Sequence, residues 1–268
     1  THEQADFDAI ASLLGKFLTA SGETALLPRQ MNRNVKNYLT ENASELPFTN
    51  PDQLPDEKIE AITLVDTQSV ITLKGIGKNT TFTIIDHHPP KRTFPSGWKF
   101  IETGTGATTT YFVHEIKRRA IPINPTHASL LLLGIHEDTG SLTYSSRTPQ
   151  DVYAAAFLLE QGANLDSVSN YLNPPLSVSQ INLMDQLIKN LTTVQVEGQT
   201  ILISQADGTQ MTDEVSSIAH KMCNLLSPTA LFLFVQTGEG IRLVARSDSD
   251  QINVGQITGR FGGGGHAR

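Results

Sequence analysis

Two apolar runs in this chain each end on an aspartate, and this pairing restricts the fold more than any other feature. Ala61-Ile62-Thr63-Leu64-Val65 leads into Asp66, and Thr81-Phe82-Thr83-Ile84-Ile85 leads into Asp86-His87-His88. Short apolar runs rich in β-branched residues read as buried strands. Open α/β sheets bind ligands beyond the carboxyl ends of their strands, so both acidic clusters are expected at one site. His2, Asp6 and Asp8 precede them, Asp138-Thr139-Gly140 follows, and Gly262-Gly263-Gly264-Gly265-His266 stands near the end. The set offers carboxylates and imidazoles without a thiolate, which suits two hard or borderline divalent ions such as Mn²⁺ or Mg²⁺.

Composition narrows the classes that remain. At 268 residues and 29.2 kDa the chain can bury a proper core and has length for two domains. The apolar run from Val152 to Leu159 is far too short to span a bilayer, so no membrane partner is expected. No charged-then-apolar leader opens the chain. The single cysteine, Cys223, excludes an internal disulfide framework and a cysteine-based zinc site, and a reducing cytoplasm fits. A net charge of −7 argues against long duplex nucleic acid as a partner. Short, end-bound nucleotides remain compatible, because bound cations would invert the local potential. Both ends read as cut, His2 having no strand ahead of it and His266-Ala267-Arg268 stopping inside a motif. The chain is therefore expected to be a piece of a longer polypeptide.

The pattern along the chain is that of an α/β protein. Asp8 opens an amphipathic helix with Ile10, Leu13, Leu14, Phe17 and Leu18 on one face, and a short helix is expected near Asn34 to Thr40. Residues 89–100 read as a Pro-containing loop and Gly106 to Arg119 as a helix. Thr126 to His136 reads as either a helix or a strand, and its length and the preceding Pro125 favour a helix whose end presents Asp138. Thr148-Pro149-Gln150-Asp151 is a strong helix start, and Gly162 closes that helix. Asn173-Pro174-Pro175 marks a boundary. After it comes a connecting helix with Ile181, Met184, Leu187, Ile188 and Leu191 on one face. Thr193 to Val196 and Thr200 to Ser204 make a hairpin around Glu197-Gly198-Gln199. Thr212 caps a helix to about Leu226, and Leu231 to Thr237 with Ile241 to Arg246 makes a second hairpin.

A binuclear site needs several ligands, with a carboxylate shared between ions roughly 3.5–4 Å apart. His2-x-x-x-Asp6-x-Asp8 can supply three, Asp66 and Asp138 can converge from neighbouring elements, and His87 adds an imidazole. Taken singly, the His2-Asp6-Asp8 set, Asp66-Thr67 and Asp138-Thr139-Gly140 read equally as solvated helix starts, caps and turns. Asp86-His87-His88 is more specific, since adjacent histidines on extended backbone point to opposite faces. The order of all four clusters carries more weight than any one of them.

In that order the motifs resemble the DHH phosphoesterase superfamily: H-x-x-x-D-x-D, a strand-ending D, D-H-H, then D ahead of Thr-Gly. The G-G-G-H terminus resembles the accompanying DHH-associated domain, so the likeness runs from His2 to His266. The overall texture is most similar to the DHH region of bacterial proteins that also carry CBS domains and a poly(A) polymerase or CCA-adding-like nucleotidyltransferase. The resemblance implies a parallel-sheet catalytic domain over 1–172, a linker helix over 173–190 and a substrate-binding domain over 191–268, with the active site in the cleft between. It implies His2 and Asp6 on one Mn²⁺ and Asp8 and His87 on the other, Asp66 bridging and Asp138 completing the set. Asp86 would orient an imidazole, and His88 would face the scissile phosphate. Phe7 stands where many relatives have glycine, which bears on pocket shape rather than on the ligands.

The glycine run frees backbone N–H groups to approach an anion, and His266 adds a donor. The resemblance makes Gly262, Gly263, Gly264, Gly265 and His266, with Arg246, the nucleotide-holding group. Gly104-Thr105-Gly106-Ala107-Thr108-Thr109 opens a helix and reads either as a phosphate site or as a plain cap. His114, His127, His136 and His220 read as surface or packing residues, with His136 notable for its nearness to Asp138. The expected activity is Mn²⁺-dependent hydrolysis of phosphodiester or phosphomonoester bonds in short oligonucleotides or small nucleotides. The alternative is a nucleotide- or RNA-binding module of a larger nucleotidyltransferase, and a homodimer is compatible with either.

Overall fold

The computed structural model describes residues 1–70, 72–90, 93–209, 215–247, 249 and 251–262. The chain divides into two compact units, Thr1–Pro174 and Pro175–Arg268. Each has its own apolar core, as the Asn173-Pro174-Pro175 break suggests.

In the first unit the order is α1 (Phe7–Thr19), β1 (Ala25–Leu26), α2 (Arg33–Glu41), β2 (Phe48–Thr49), β3 (Ile59–Val65), β4 (Ile76–Asp86), β5 (Lys99–Glu102), α3 (Thr108–Arg118), α4 (Pro125–Asp138), α5 (Pro149–Glu160) and α6 (Leu165–Leu172). β3, β4 and β5 form a parallel sheet in that order. Val65, Ile85 and Ile101 lie in register on one face and pack against Leu13 of α1 and Phe112 of α3. Leu130 to Leu133 of α4 are fully buried, so this helix is the centre of the core, packed with Ile10 and Leu14 of α1 and Leu158 of α5. A helix apolar all round belongs in the interior.

Local signals fixed the helix ends. Thr148 and Asp151 form a reciprocal capping box with Pro149 in the first turn, and Gly162 takes φ +87° after α5. The loop read over 89–100 ends earlier, since β5 begins at Lys99, and α6 lies in a stretch that carried no assignment.

The second unit contains α7 (Val178–Lys189), β6 (Thr192–Val196), β7 (Gln199–Asp207), α8 (Val215–Leu226), β8 (Ala230–Thr237), β9 (Gly240–Ser247) and α9 (Val254–Gly259). Its sheet runs β6-β7-β8-β9, with two antiparallel hairpins joined through a parallel β7–β8 pair. The first hairpin turns at Glu197 (φ +50°) and Gly198 (φ +80°), both left-handed as a two-residue turn of this kind requires. Two expectations need correcting here. The helix read as a connector is built into this unit, with Leu183 and Leu187 buried in its core. Its inward face is also rotated, because Ile181 (53% exposed) and Ile188 (39%) face solvent. Thr212 lies outside the described residues. Among the described residues no helix is long and apolar enough to cross a membrane.

Gly134 of α4 sits where atoms of α1 and α3 crowd against α4. A Cβ there would meet Ala11 Cβ at 2.6 Å, Thr109 Oγ1 at 2.7 Å and the Phe7 carbonyl at 3.1 Å. Gly134→Ala is therefore expected to cost about 1–3 kcal/mol through overpacking. Urea unfolding followed in the first unit should show the loss, while Val152→Ala, at an exposed site on α5, should stay within about 0.5 kcal/mol.

Candidate metal centre

Asp66 occupies the first residue after β3 with φ +53°, left-handed backbone that aspartate tolerates better than most side chains. Its N–H donates to the Ile85 carbonyl at 3.0 Å, which ties the strained turn to the neighbouring strand. The side chain is almost fully buried. His2 Nε2 lies 3.7 Å from Asp66 Oδ2, and His87 Nε2 lies 3.8 Å from Asp66 Oδ1. Asp66 thus faces one imidazole with each oxygen.

Two ligand groups meet on it. His2, Asp6 and Asp66 offer atoms within 4.8 Å of one another, and so do Asp8, Asp66, His87 and Asp138. All six side chains proposed as ligands are brought together, divided as the two-ion reading expects, with Asp66 common to both groups. His87 Nε2 approaches Asp138 Oδ2 to 3.0 Å, yet among the described residues this buried nitrogen has no hydrogen-bond partner. A buried, unpartnered imidazole nitrogen facing three carboxylates fits a divalent cation, and the all-O/N donor set fits Mn²⁺ or Mg²⁺.

Several groups not read from the sequence as supports of the ligands hold this arrangement. Asp8 is fully buried and accepts the Thr108 and Thr109 N–H groups at 2.8 and 2.9 Å, one on each oxygen. These are unsatisfied donors at the start of α3. The Thr108 hydroxyl donates to Asp66 Oδ1 at 3.0 Å and accepts the His87 N–H at 3.1 Å, so one threonine braces three ligands. Asp151 accepts the Gly106 N–H through both oxygens. Of the two readings of Gly104–Thr109, the cap is the one the structure shows, since the protein's own carboxylates accept the N–H groups of that helix start. Glu137, next to the ligand Asp138, accepts the Phe7 N–H and holds the turn between Asp6 and Asp8. Phe7 itself points into the core, edge-on to Tyr38 and Tyr171, so its bulk leaves the ligand pocket alone.

Asp86, His87 and His88 also lie close to Asp66, yet the oxygens of Asp86 are engaged elsewhere. Its Oδ1 meets His88 Nδ1 at 2.9 Å and the His88 N–H at 3.0 Å, while Oδ2 accepts from Gln68 Nε2 at 3.0 Å. It orients His88 rather than a cation. The His87 and His88 rings are 4.0 Å apart instead of on opposite faces, because β4 ends at Asp86 and the backbone bends there. His88 is about half exposed and His87 mostly covered.

Gly140 closes the Asp138-Thr139-Gly140 turn at φ +55°, and a Cβ there would collide with the Tyr144 ring. Arg147 donates to the Tyr144 carbonyl. His136 shares no ligand group with Asp138 among the described residues, and burial lowers its pKa. In the second unit Arg246 is exposed on β9 and Gly262 takes φ +80°. Gly263, Gly264, Gly265 and His266 lie outside the described residues.

The comparisons point one way. The model of the DHH family, N-terminal domain, matches residues 1–135. An A-adding tRNA nucleotidyltransferase of Geobacter sulfurreducens is 31% identical over 275 residues, covering 100% of this chain and 31% of the relative. The chain spans the same 31% share of its counterpart from Aquifex aeolicus, at 30% identity. A bifunctional oligoribonuclease and PAP phosphatase NrnA of Mycoplasma genitalium is 29% identical, over 68% of this chain and 57% of that protein. The crystal structure of an exopolyphosphatase-related protein from Bacteroides fragilis superposes with a TM-score of 0.75 at 17% identity, over 100% of this chain and 83% of that one, which shows the shared α/β fold.

Crowding of acids sets the electrostatics. Burial first, then repulsion from Asp138, raises the Asp8 carboxyl to about 7 despite His87 and the Thr109 donors. Burial and the neighbouring carboxylates likewise hold Asp66 and Glu137 well above the ordinary range, and Asp6 above it. Burial opposes charge on His87, but Asp138 and Asp8 outweigh it and raise the imidazole to about 9. Groups raised on folding contribute stability that is complete in acid and is lost as pH climbs through the folded values. The cation-free chain should therefore lose thermal stability from about pH 4, the ordinary aspartate value, through the Asp8 value near 7, to the His87 value near 9. Differential scanning calorimetry with and without Mn²⁺ checks this: the cation should raise the midpoint most at the alkaline end, and a flat cation-free profile would contradict it.

Proposed function

The chain belongs to the DHH family, and from that membership we propose that it is a metal-dependent phosphoesterase acting on short oligonucleotides or small nucleotides. The observation that carries the reading is the pair of ligand groups sharing Asp66, with the unpartnered His87 Nε2 among three carboxylates. In this reading His2, Asp6 and Asp66 hold one divalent ion, and Asp8, Asp66, His87 and Asp138 hold the other, Mn²⁺ being the expected metal. When bound, such ions supply Lewis-acid activation of a water nucleophile and neutralise charge that develops on the phosphoryl group.

The protein's own groups do the rest. Asp86, fixed by Gln68, takes the Nδ1 proton of His88 in a hydrogen bond and leaves Nε2 for the substrate side. Burial alone would push the Asp86 carboxyl up, but the His88 and Gln68 donors bring it below the ordinary carboxylate range, so it stays charged and holds the ring. His88 is about half exposed, and in its doubly protonated form, with Nδ1–H on Asp86, it would donate the Nε2 proton to the departing oxygen. Arg246 and Gly262 of the second unit, with Gly263, Gly264, Gly265 and His266, are assigned the distal phosphate or base of the substrate.

A second reading has its own support. The A-adding tRNA nucleotidyltransferases that the chain matches along its length are about three times longer. A nucleotide- or RNA-binding module within such a protein, with binding rather than hydrolysis as its task, accounts for that.

One assay separates the two. With Mn²⁺, the phosphoesterase reading expects release of mononucleotide from a dinucleotide, and Asp66→Asn should lower the rate by at least roughly 100-fold. Equal rates in both proteins would defeat it. Tight nucleotide binding without turnover, in a chain that retains no metal, would favour the binding module.

A further inference from the structure

A second feature of the first unit lies beside the candidate centre and is not used by it. The outer face of the parallel sheet carries a set of near-parallel aromatic rings. Trp98 stacks on Phe82 with centroids 4.2 Å apart and planes 16° from parallel. Phe94 lies 6.3 Å from Trp98 with the planes only 9° apart, and stacks on Phe100 at 5.2 Å. Phe82 and Phe100 come from β4 and β5, whereas Phe94 and Trp98 come from the loop between those strands. Phe82 is buried, and Trp98 is half-buried at the surface layer.

Trp98 also lines a cavity of about 490 Å³, together with Ser69, Val70, Thr93 and Pro95. This volume falls within the roughly 300–1,000 Å³ of small-ligand sites. One lining residue, Ser69, follows Gln68 in the chain. Gln68, the residue before Ser69, donates to Asp86 Oδ2 at 3.0 Å and to the His88 and Pro89 carbonyls at 3.3 and 3.0 Å. The cavity therefore begins one residue from a side chain bonded to both members of the Asp86–His88 pair. Its lining combines a flat ring, two apolar contacts from Val70 and Pro95, and two hydroxyls from Ser69 and Thr93.

We propose that this cavity is a nucleobase subsite, in which a base of the substrate stacks on Trp98 and meets the Ser69 and Thr93 hydroxyls with its polar edge. The proposal rests on the phosphoesterase reading for the position of the scissile phosphate, and it adds where a base would lie. Stacking suits a short oligonucleotide of any sequence, because every base presents a π face.

Trp98 is the only tryptophan of the chain, so its fluorescence reports this cavity directly. In Mg²⁺ buffer, AMP should quench it with a saturable midpoint, and ribose 5-phosphate, which has the phosphate without the base, should not. Equal responses to the two ligands, or none to AMP, would overturn the subsite. Independently, Trp98→Ala should raise KM for a dinucleotide by roughly 5- to 150-fold, and Trp98→Phe, which keeps a stacking face, should stay within a few-fold of the parent. Hydrolysis with KM unchanged in Trp98→Ala overturns the subsite while leaving the phosphoesterase standing. AMP-specific quenching in a chain that hydrolyses nothing supports the subsite and overturns the phosphoesterase. Should Trp98→Ala fail to fold, the quenching comparison and the Trp98→Phe kinetics decide the matter.

Discussion

Mutual repulsion among buried carboxylates is the constraint around which the first unit is organised. Asp6, Asp8, Asp66, Asp138 and Glu137 act electrostatically on one another, and the burial of Asp8 and Asp66, with partial cover of the other three, limits the water that would screen them. A protein keeps such a cluster only if something compensates it. Backbone donors at the start of α3 hold Asp8, the Phe7 N–H goes to Glu137, and His2 and His87 face Asp66 from two sides. Those contacts fix positions but, among the described residues, leave His87 Nε2 without a hydrogen-bond partner. Two divalent cations would supply the missing positive charge, which is why the fold and the proposed chemistry cannot be argued separately.

The fold delivers this cluster through a few local devices. Left-handed backbone at Asp66 turns the chain as it leaves β3. Close packing at Gly134 lets α1, α3 and α4 approach, which brings the Phe7 carbonyl and Thr109 against α4 and so sets the spacing between Asp8 and Asp138. Thr108 links Asp8, Asp66 and His87 through one residue. Strain and close packing at one place are expected where geometry serves function.

Much of this was legible in the sequence because its signals were local. The strands ending on Asp66 and Asp86, the capping box at Thr148 and Asp151, and the hairpin at Glu197-Gly198 each depend on neighbours a few residues apart. The gathering of His2, Asp6, Asp8, Asp66, His87 and Asp138 was legible through the order of their motifs. The bracing groups were not. Thr108, Thr109 and Glu137 act on residues about a hundred or more positions away, and no periodicity records such a partner. The glycine-threonine stretch before α3 looked like an anion site because a helix start is one; the anions turned out to be Asp8 and Asp151. On α7 the expected face held at Met184, Leu187 and Leu191 but not at Ile181 and Ile188, because isoleucines at helical spacing imitate a buried stripe while tertiary packing selected Leu183.

The central claim is that Asp66 is shared by two cations. Diffraction from crystals soaked in Mn²⁺, with data collected on both sides of the manganese absorption edge, tests it most directly. The account predicts two anomalous peaks roughly 3.5–4 Å apart, flanking the Asp66 carboxylate, with His2 against one and His87 against the other. A single peak, or peaks away from Asp66, would contradict it.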